Sequence, residues 1–317
     1  MRDISFPYLP KDFIQTKEGL IFAVVSYQAY EGKVACFLRY VLNDGVWEKI
    51  DTEGANQLLQ QNYPKYCYKS VQVDAEFHAV KVSDISEHHC PEQRLQDVLQ
   101  REPRDEIEVK FHKLIPILVH YGAECHNLGL TGSMLINQQH QESDIDLTVY
   151  GREAFHKTRE AIAAALADRA LDKLDEMLMV DNYNRRAGEL SFDEFAWHEN
   201  RKLNKAAIEG TKFDIGMVCL ADEVELDNKQ YKKQGMRTIK TTVVDDHRAF
   251  DFPAHYVVDD EMTPDVLSFT HTYVGQAKLG ETIEVSGAVE RNLATGKCRL
   301  IVGSTREADG EYIKVCR

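Results

Sequence analysis

The chain contains no Cys-x-x-C pair, and its seven cysteines (36, 67, 90, 125, 219, 298 and 316) are scattered and odd in number. Such spacing excludes a zinc knuckle or a disulfide framework and reads as the reduced thiols of a cytoplasmic protein. Long apolar runs are also missing. The longest, Ala161 to Ala167, has seven residues, where a bilayer-spanning helix needs roughly 20, so no membrane partner is expected. The opening residues, MRDISFPYLPKDF, lack the basic start and apolar stretch of a secretory signal. Basic side chains are outnumbered, 38 Lys+Arg against 52 Asp+Glu, for a formal net charge of −14. That balance excludes coating nucleic acid by bulk electrostatics and permits only a local basic groove.

What is present is enough for a real core: 317 residues, 43% hydrophobic and 28% charged. At roughly 100–200 residues per domain, this length predicts two domains or three small ones. Three segments differ in texture. Residues 1–95 read as strands with one helix: Gly19 to Tyr27 and Lys33 to Leu42 flank the polar turn Gln28–Gly32, and Asn43-Asp44-Gly45 leads into Val46–Ile50. Thr52–Asn62 is helical in composition, and Ser70–Val82 alternates like a strand.

From Pro91 the period changes. Ile107, Phe111, Leu114, Ile115 and Leu118 form one helical stripe. A short apolar segment, Leu128–Leu130, then a strand over Asp144–Tyr150, helices over Arg152–Arg169 and Ala170–Met179, and a strand over Lys212–Leu220 follow. Ser191-x-x-Glu194 is a capping box opening a helix that Gly210 is placed to end. This middle segment, 96–235, holds 18 basic and 26 acidic side chains, −8 of the −14. Residues 236–317 revert to short strands, Ile239–Val244, Tyr256–Val258, Thr282–Glu290 and Cys298–Val302. They suit a small β-barrel, with the OB type as its candidate form.

The chemistry is concentrated in Leu130-Thr131-Gly132-Ser133, ten residues, and Asp144-Ile145-Asp146-Leu147. On a strand, Asp144 and Asp146 share one face while Ile145 and Leu147 enter the core. Paired carboxylates repel unless a cation lies between them, and oxygen ligands favour magnesium or manganese. Gly132 permits close backbone approach to a phosphate, and the N–H groups of a following helical turn with the Ser133 hydroxyl can bind its oxygens. A third carboxylate, Asp214, sits in the strand-like Lys212-Phe213-Asp214-Ile215-Gly216-Met217, its apolar neighbours facing the other way.

Gly-Ser, a spacer of about ten residues, Asp-x-Asp between apolar residues and a later strand-borne Asp resemble the nucleotidyltransferase superfamily of the DNA polymerase β type over roughly residues 105–220. The whole chain also resembles predicted archaeal-type nucleotidyltransferases, through DFIQTKEGLIFAVV near its start and LGETIEVSGAVE and RLIVGS in its tail. The resemblance implies an α+β fold. A central polymerase-β-like nucleotidyltransferase domain (96–235), a mixed sheet with helices, would lie between a β-rich N-terminal domain (1–95) and the small barrel (236–317). It implies transfer of a nucleoside monophosphate from a magnesium–NTP to an acceptor hydroxyl of RNA or tRNA, protein or a small molecule, with release of pyrophosphate. Asp144, Asp146 and Asp214 would be the catalytic metal ligands, with Asp214 nearest the acceptor. Gly132 and Ser133 would hold phosphate. ATP is the favoured nucleotide, although no base-specific motif is readable. The rival expectation is a catalytically silent nucleotidyltransferase-fold module that binds RNA or a protein partner.

Other residues carry competing readings. His198, Arg201, Lys202 and Lys205 fall at i, i+3, i+4 and i+7 of the helix expected over Ser191–Glu209, with Arg185 and Arg186 a short loop earlier. They are either a phosphate-binding face, with Arg201 and Lys205 the best candidates, or a solvated helix surface. Lys212 shares the face of Asp214. His88-His89-Cys90 reads as a surface turn, His140 as loop filler, and Tyr231–Arg237 as a basic hinge. The tail aromatics Phe252, Tyr256, Phe269, Tyr273 and Tyr312 suit either a base-stacking platform or a core.

Overall fold

The computed structural model describes residues 7–70, 74–186, 188–304 and 308–317. Residues 71–73, within the strand expected over Ser70–Val82, and the side chain of Arg186 lie outside the described residues. The fold is mixed α/β and divides into two units. One comprises Met1–Ser70, Glu76–Asp172 and Ala207–Leu226; the other, Val71–Ala75, Lys173–Ala206 and Asp227–Arg317.

The first unit begins with strands β1 (Phe13–Thr16), β2 (Leu20–Tyr30), β3 (Lys33–Asn43) and β4 (Val46–Lys49), helix α1 (Thr52–Asn62), then β5 (Cys67–Ser70), β6 (Ala75–Lys81) and β7 (Ile85–His89). They form one sheet in the order β5-β6-β3-β2-β1-β7, with β4 pairing β3. Two of its hairpins close through Glu31-Gly32 and Asp44-Gly45, both residues of each turn at positive φ. That geometry matches the twist of the strands it joins. Helix α1 is capped by Asp51, whose carboxylate accepts the Gly54 N–H at 2.8 Å. Its Leu59 packs with Leu20, Phe22, Val24, Cys36 and Leu38 of the sheet.

Next come α2 (Pro91–Leu99), α3 (Glu106–His120), β8 (Leu128–Leu130), β9 (Ile145–Tyr150), α4 (Arg152–Ala167), β10 (Lys205–Ile208) and β11 (Thr211–Val218). The unit boundary falls within β10. These strands form a sheet in the order β10-β11-β9-β8, with β11 parallel and β8 antiparallel to β9. Alternation decides what each face does. Ile145, Leu147, Val149, Phe213, Ile215 and Met217 are buried on the face that α4 packs against. Each such side chain contributes about 1.5–3 kcal/mol by leaving water. The opposite face carries Asp146, Thr148, Asp214 and Gly216.

The second unit contains α5 (Glu176–Arg186), α6 (Phe192–Lys202), β12 (Tyr231–Arg248), β13 (Ala254–Val258), β14 (Asp265–Ser268), β15 (Thr282–Asn292), β16 (Cys298–Val302) and β17 (Tyr312–Val315). The strand order β12-β13-β14-β16-β15, with β12 also paired to β15, closes a five-stranded ring, and β17 adds to β15. Closure removes exposed strand edges. Val243, Tyr256, Val266, Val285 and Leu300 fill the ring, joined by Met179 and Phe195 from the two helices.

Several expectations are corrected. No helix covers Ala170–Met179: Asp172 bridges to Ala207 instead, and α5 starts after Asp175, whose carboxylate accepts the Leu178 N–H at 2.8 Å. The capping box at Ser191 and Glu194 is present, but α6 stops at Lys202 because Leu203 turns left-handed at φ 54°. Gly210 therefore ends no helix; with Glu209 it makes the left-handed turn between β10 and β11. Tyr231–Arg237 is no hinge but the start of β12, in register with β15 and bulged at Gly235. His88 and His89 lie in β7, not in a turn. Tyr256 and Tyr273 belong to the barrel core, whereas Phe269 is exposed.

A candidate carboxylate site on the central sheet

Asp146 of β9 and Asp214 of β11 are direct register partners across the parallel pair. Adjacent strands lie about 4.8 Å apart, so the two carboxylates stand side by side on one face. Asp144 immediately precedes β9, and its Oδ2 lies 2.8 Å from Nζ of Lys212. That ammonium is almost fully buried, at 3% exposure. Lys212 and Asp214 alternate onto the same face of β11, which places Lys212 and its partner Asp144 next to the Asp146–Asp214 pair along the strands. Like charges so placed repel one another, and a nearby cation relieves that repulsion.

Gly132 touches this cluster directly. Its φ is 66°, and an ideal β-carbon there would lie 2.9 Å from Asp146 Cγ and 3.0 Å from its Cβ, with Oδ2 closer still. Glycine is thus required twice, by the left-handed backbone and by the packed carboxylate. The Thr131 N–H donates to the Asp146 carbonyl at 2.9 Å, which ties the turn to β9. Gly132–Ile136 forms a 3-10 turn in place of the expected first turn of an α-helix, and Asn137 ends it at φ 55°. Met134, Leu135 and Ile136 are buried there, so packing sets the length of the turn. The leading N–H groups of such a turn have no partner inside it.

Three further residues near the cluster or its turn, and one at the far end of β11, carry no sequence signal. Arg94 of α2 donates to the Met134 carbonyl (2.7 Å) and to Asn137 Oδ1 (2.6 Å), holding the turn from its far side. Lys11 accepts at its carbonyl from the Thr131 hydroxyl at 2.7 Å. Tyr27 accepts the Cys219 N–H at its hydroxyl oxygen, at 2.6 Å, just beyond β11. Burial, with the Asp146 charge adding to it, pushes the Tyr40 hydroxyl above its ordinary pKa. All but Arg94 come from the N-terminal sheet or the loop leading into it. Their sites depend on pairing between segments far apart in the chain, which local periodicity does not report.

Of the expected site residues, Asp146 and Asp214 lie on one sheet of the first unit, and Gly132, Ser133 and Asp144 lie in the segments leading into it. Arg201 and Lys205 belong to the second unit and are engaged there: Arg201 pairs with Glu281, and Lys205 with Glu199. The basic helix face is corrected accordingly. Lys205 lies in β10. Lys202 is buried, bound to Glu199 at 2.6 Å and the Thr272 carbonyl at 2.5 Å. Burial works to raise the Glu199 carboxyl, yet the Lys202 and Lys205 ammoniums hold it well below the carboxylate range. His198 is buried with its pKa lowered to about 4, chiefly by burial. Arg185 is paired with Asp181 one turn earlier. His140 lies in a tight turn in which its N–H donates to Ser143 Oγ at 2.9 Å.

The cluster's donors are all oxygen, and Asp146 with Asp214 fits two positions around a hard divalent cation. Asp144 fits a third, with its Oδ2 also bound to Lys212. Among the described residues, no three of His, Cys, Asp and Glu are gathered as they would be around a bound ion.

A protein of Methanocaldococcus jannaschii, the uncharacterized protein MJ1086, is 34% identical over 335 aligned positions, covering 97% of this chain and 98% of its own length. The chain belongs to that protein's family. The shared length spans both units. No family model matches the chain, and no solved structure does. Among the described residues no helix is long and apolar enough to cross a membrane.

Proposed function

We propose that this protein is a magnesium- or manganese-dependent nucleotidyltransferase with a central sheet of the polymerase β type. It would move a nucleoside monophosphate from an NTP to an acceptor hydroxyl. One observation carries the reading: Asp146 and Asp214 face each other in register while the backbone of Gly132 presses against Asp146. A phosphate held at Gly132-Ser133 would lie beside the same carboxylates that hold the cation.

Asp146 and Asp214 would hold the cation, joined by Asp144. Bound there, a divalent ion supplies positive charge to the triphosphate and lowers the pKa of the attacking hydroxyl. The chain's own residues do the rest. Gly132 allows the backbone to approach the phosphate, Ser133 offers a hydroxyl donor, and Arg94 holds the turn in place. Asp214, on the strand farther from that turn, orients the acceptor. Catalysis of this kind comes mostly from positioning and charge. RNA, tRNA, protein and small molecules all remain acceptors of this class. The five-strand ring, whose order is that of an OB barrel, offers a surface for a nucleic-acid acceptor. The cytoplasmic reading rests on the seven cysteines, all free thiols.

A second reading, a silent module of the same fold that binds RNA or a protein, is favoured by the Lys212–Asp144 ion pair. That pair engages one of the three carboxylates with the protein's own cation. Calorimetry with each of the four NTPs, in magnesium and then in EDTA, separates the two. Magnesium-dependent binding of one NTP, abolished in Asp146→Asn with the fold intact, is the expected result. Unaltered binding in that variant sinks the transferase reading.

A further inference from the structure

Resting on the nucleotidyl-transfer reading, we infer that Lys11, from the segment preceding β1, is a contact for the phosphates of the nucleotide. Its loop is built to hold it. Asp12 is fully buried, and its Oδ2 accepts the Leu9 N–H at 2.8 Å and lies 2.8 Å from His88 Nε2. The Asp12 N–H returns to the Leu9 carbonyl, and the Lys11 N–H donates to Val24, both at 3.1 Å. Between these anchors Lys11 adopts φ 78°, a left-handed conformation that side-chain-bearing residues rarely adopt. The Lys11 carbonyl receives the hydroxyl of Thr131, the residue directly before Gly132-Ser133. The backbone of Lys11 and the expected phosphate turn are therefore fixed to each other.

The side chain then runs across the carboxylate face. An ideal β-carbon on Gly216 would lie 3.2 Å from Lys11 Cε and 3.4 Å from Nζ. Gly216 follows Asp214 by two positions and so shares its face. The next row of this face is Gly129, Thr148 and Gly216, in register across β8, β9 and β11. The absent β-carbon of Gly216 makes the room that Lys11 occupies. An ammonium on a flexible stem, beside a phosphate turn and along a carboxylate face, suits a polyphosphate bound with its cation, because lysine binds phosphate as a point charge. A cation on Asp146 and Asp214 would neutralise them and leave the ammonium to the phosphates.

The test is calorimetric titration of magnesium pyrophosphate, each magnesium–NTP and the matching nucleosides into wild type, Lys11→Met and Lys11→Arg. Lys11→Met keeps the apolar stem over Gly216, and Lys11→Arg keeps the charge. The expected result is a roughly 10- to 100-fold weaker affinity of Lys11→Met for pyrophosphate and for the NTP, unchanged nucleoside affinity, and near-complete recovery in Lys11→Arg. Equal affinities in wild type and Lys11→Met overturn the assignment and leave the transferase reading standing. Equal weakening of nucleoside and phosphate ligands reduces Lys11 to a structural role and overturns it too. A wild type that binds none of these ligands overturns both readings. If Lys11→Met does not fold, Lys11→Gln, which keeps much of the stem and removes the charge, is scored in the same way.

Discussion

Gly132→Ala is the most informative single change, because two separable penalties meet at that position. The first is conformational. Alanine at φ 66° pays roughly 1–2 kcal/mol for the left-handed region, partly offset by about 0.4–1 kcal/mol because alanine restricts the unfolded chain. The second is contact. The new β-carbon would stand 2.9 Å from Asp146 Cγ, whereas carbon atoms settle at about 3.5–4.0 Å. The carboxylate must therefore withdraw by about 1 Å. It cannot do so by rotation alone, since Asp146 Cβ, fixed on β9 between two neighbouring strands, is also only 3.0 Å away. Overpacking of this kind costs about 1–3 kcal/mol.

Gly210→Ala is the control: its φ is 76°, and nothing lies within 4 Å of the would-be β-carbon. Urea unfolding at pH 7 with linear extrapolation should give a loss of about 1 kcal/mol for Gly210→Ala and about 2–4 kcal/mol for Gly132→Ala. In an Asp146→Ala background the excess should shrink, because the colliding carboxylate is gone. Transfer activity should fall by about 100-fold, as expected for a 1 Å misplacement. Equal losses at the two glycines, or an excess undiminished without the Asp146 carboxylate, would refute the contact and with it the placement of Gly132 against Asp146.

Two further outcomes follow from the ionic groups. Lys212→Met leaves Asp144 without its buried partner and should destabilise the fold on the order of 3 kcal/mol. Millimolar magnesium should restore part of that loss by binding the folded state alone, so a loss that magnesium leaves unchanged in denaturant titrations contradicts a cation-binding role for Asp144. His198 accepts the Val315 N–H at Nε2 (3.1 Å), while its Nδ1 lies 2.6 Å from the Glu194 carbonyl, an arrangement that needs the neutral ring. Its folded pKa of about 4 lies below the ordinary 6.5, so the unfolded chain takes up the proton first. Its contribution is thus fully present above pH 6.5 and is lost as the pH falls toward 4, on the order of 3 kcal/mol in all. His198→Gln should flatten that part of the stability profile, and a profile as steep as wild type's between pH 6.5 and pH 4.5 contradicts it.

What the sequence determined by itself is local. Alternation of apolar residues around Asp146 and Asp214 assigned both carboxylates to the face opposite the core, since side-chain direction on a strand needs only the nearest neighbours. The capping box at Ser191, the helical stripe from Ile107 and the Asp44-Gly45 turn were legible for the same reason. Each is settled within four residues.

Tertiary structure decided the rest. Nothing near residue 146 or 214 states that the two strands pair in parallel with these aspartates opposite each other. Nothing in the helix after Ser191 states that Leu203 turns left-handed and carries Lys205 onto a strand. Lys212 meets Asp144, and Lys11 meets Thr131 and Gly216, only because sheet register and the folding of the N-terminal segment bring them together. Such contacts are set by the packing of the whole unit, where burial selects one register and each ion pair forms with whatever partner that register delivers.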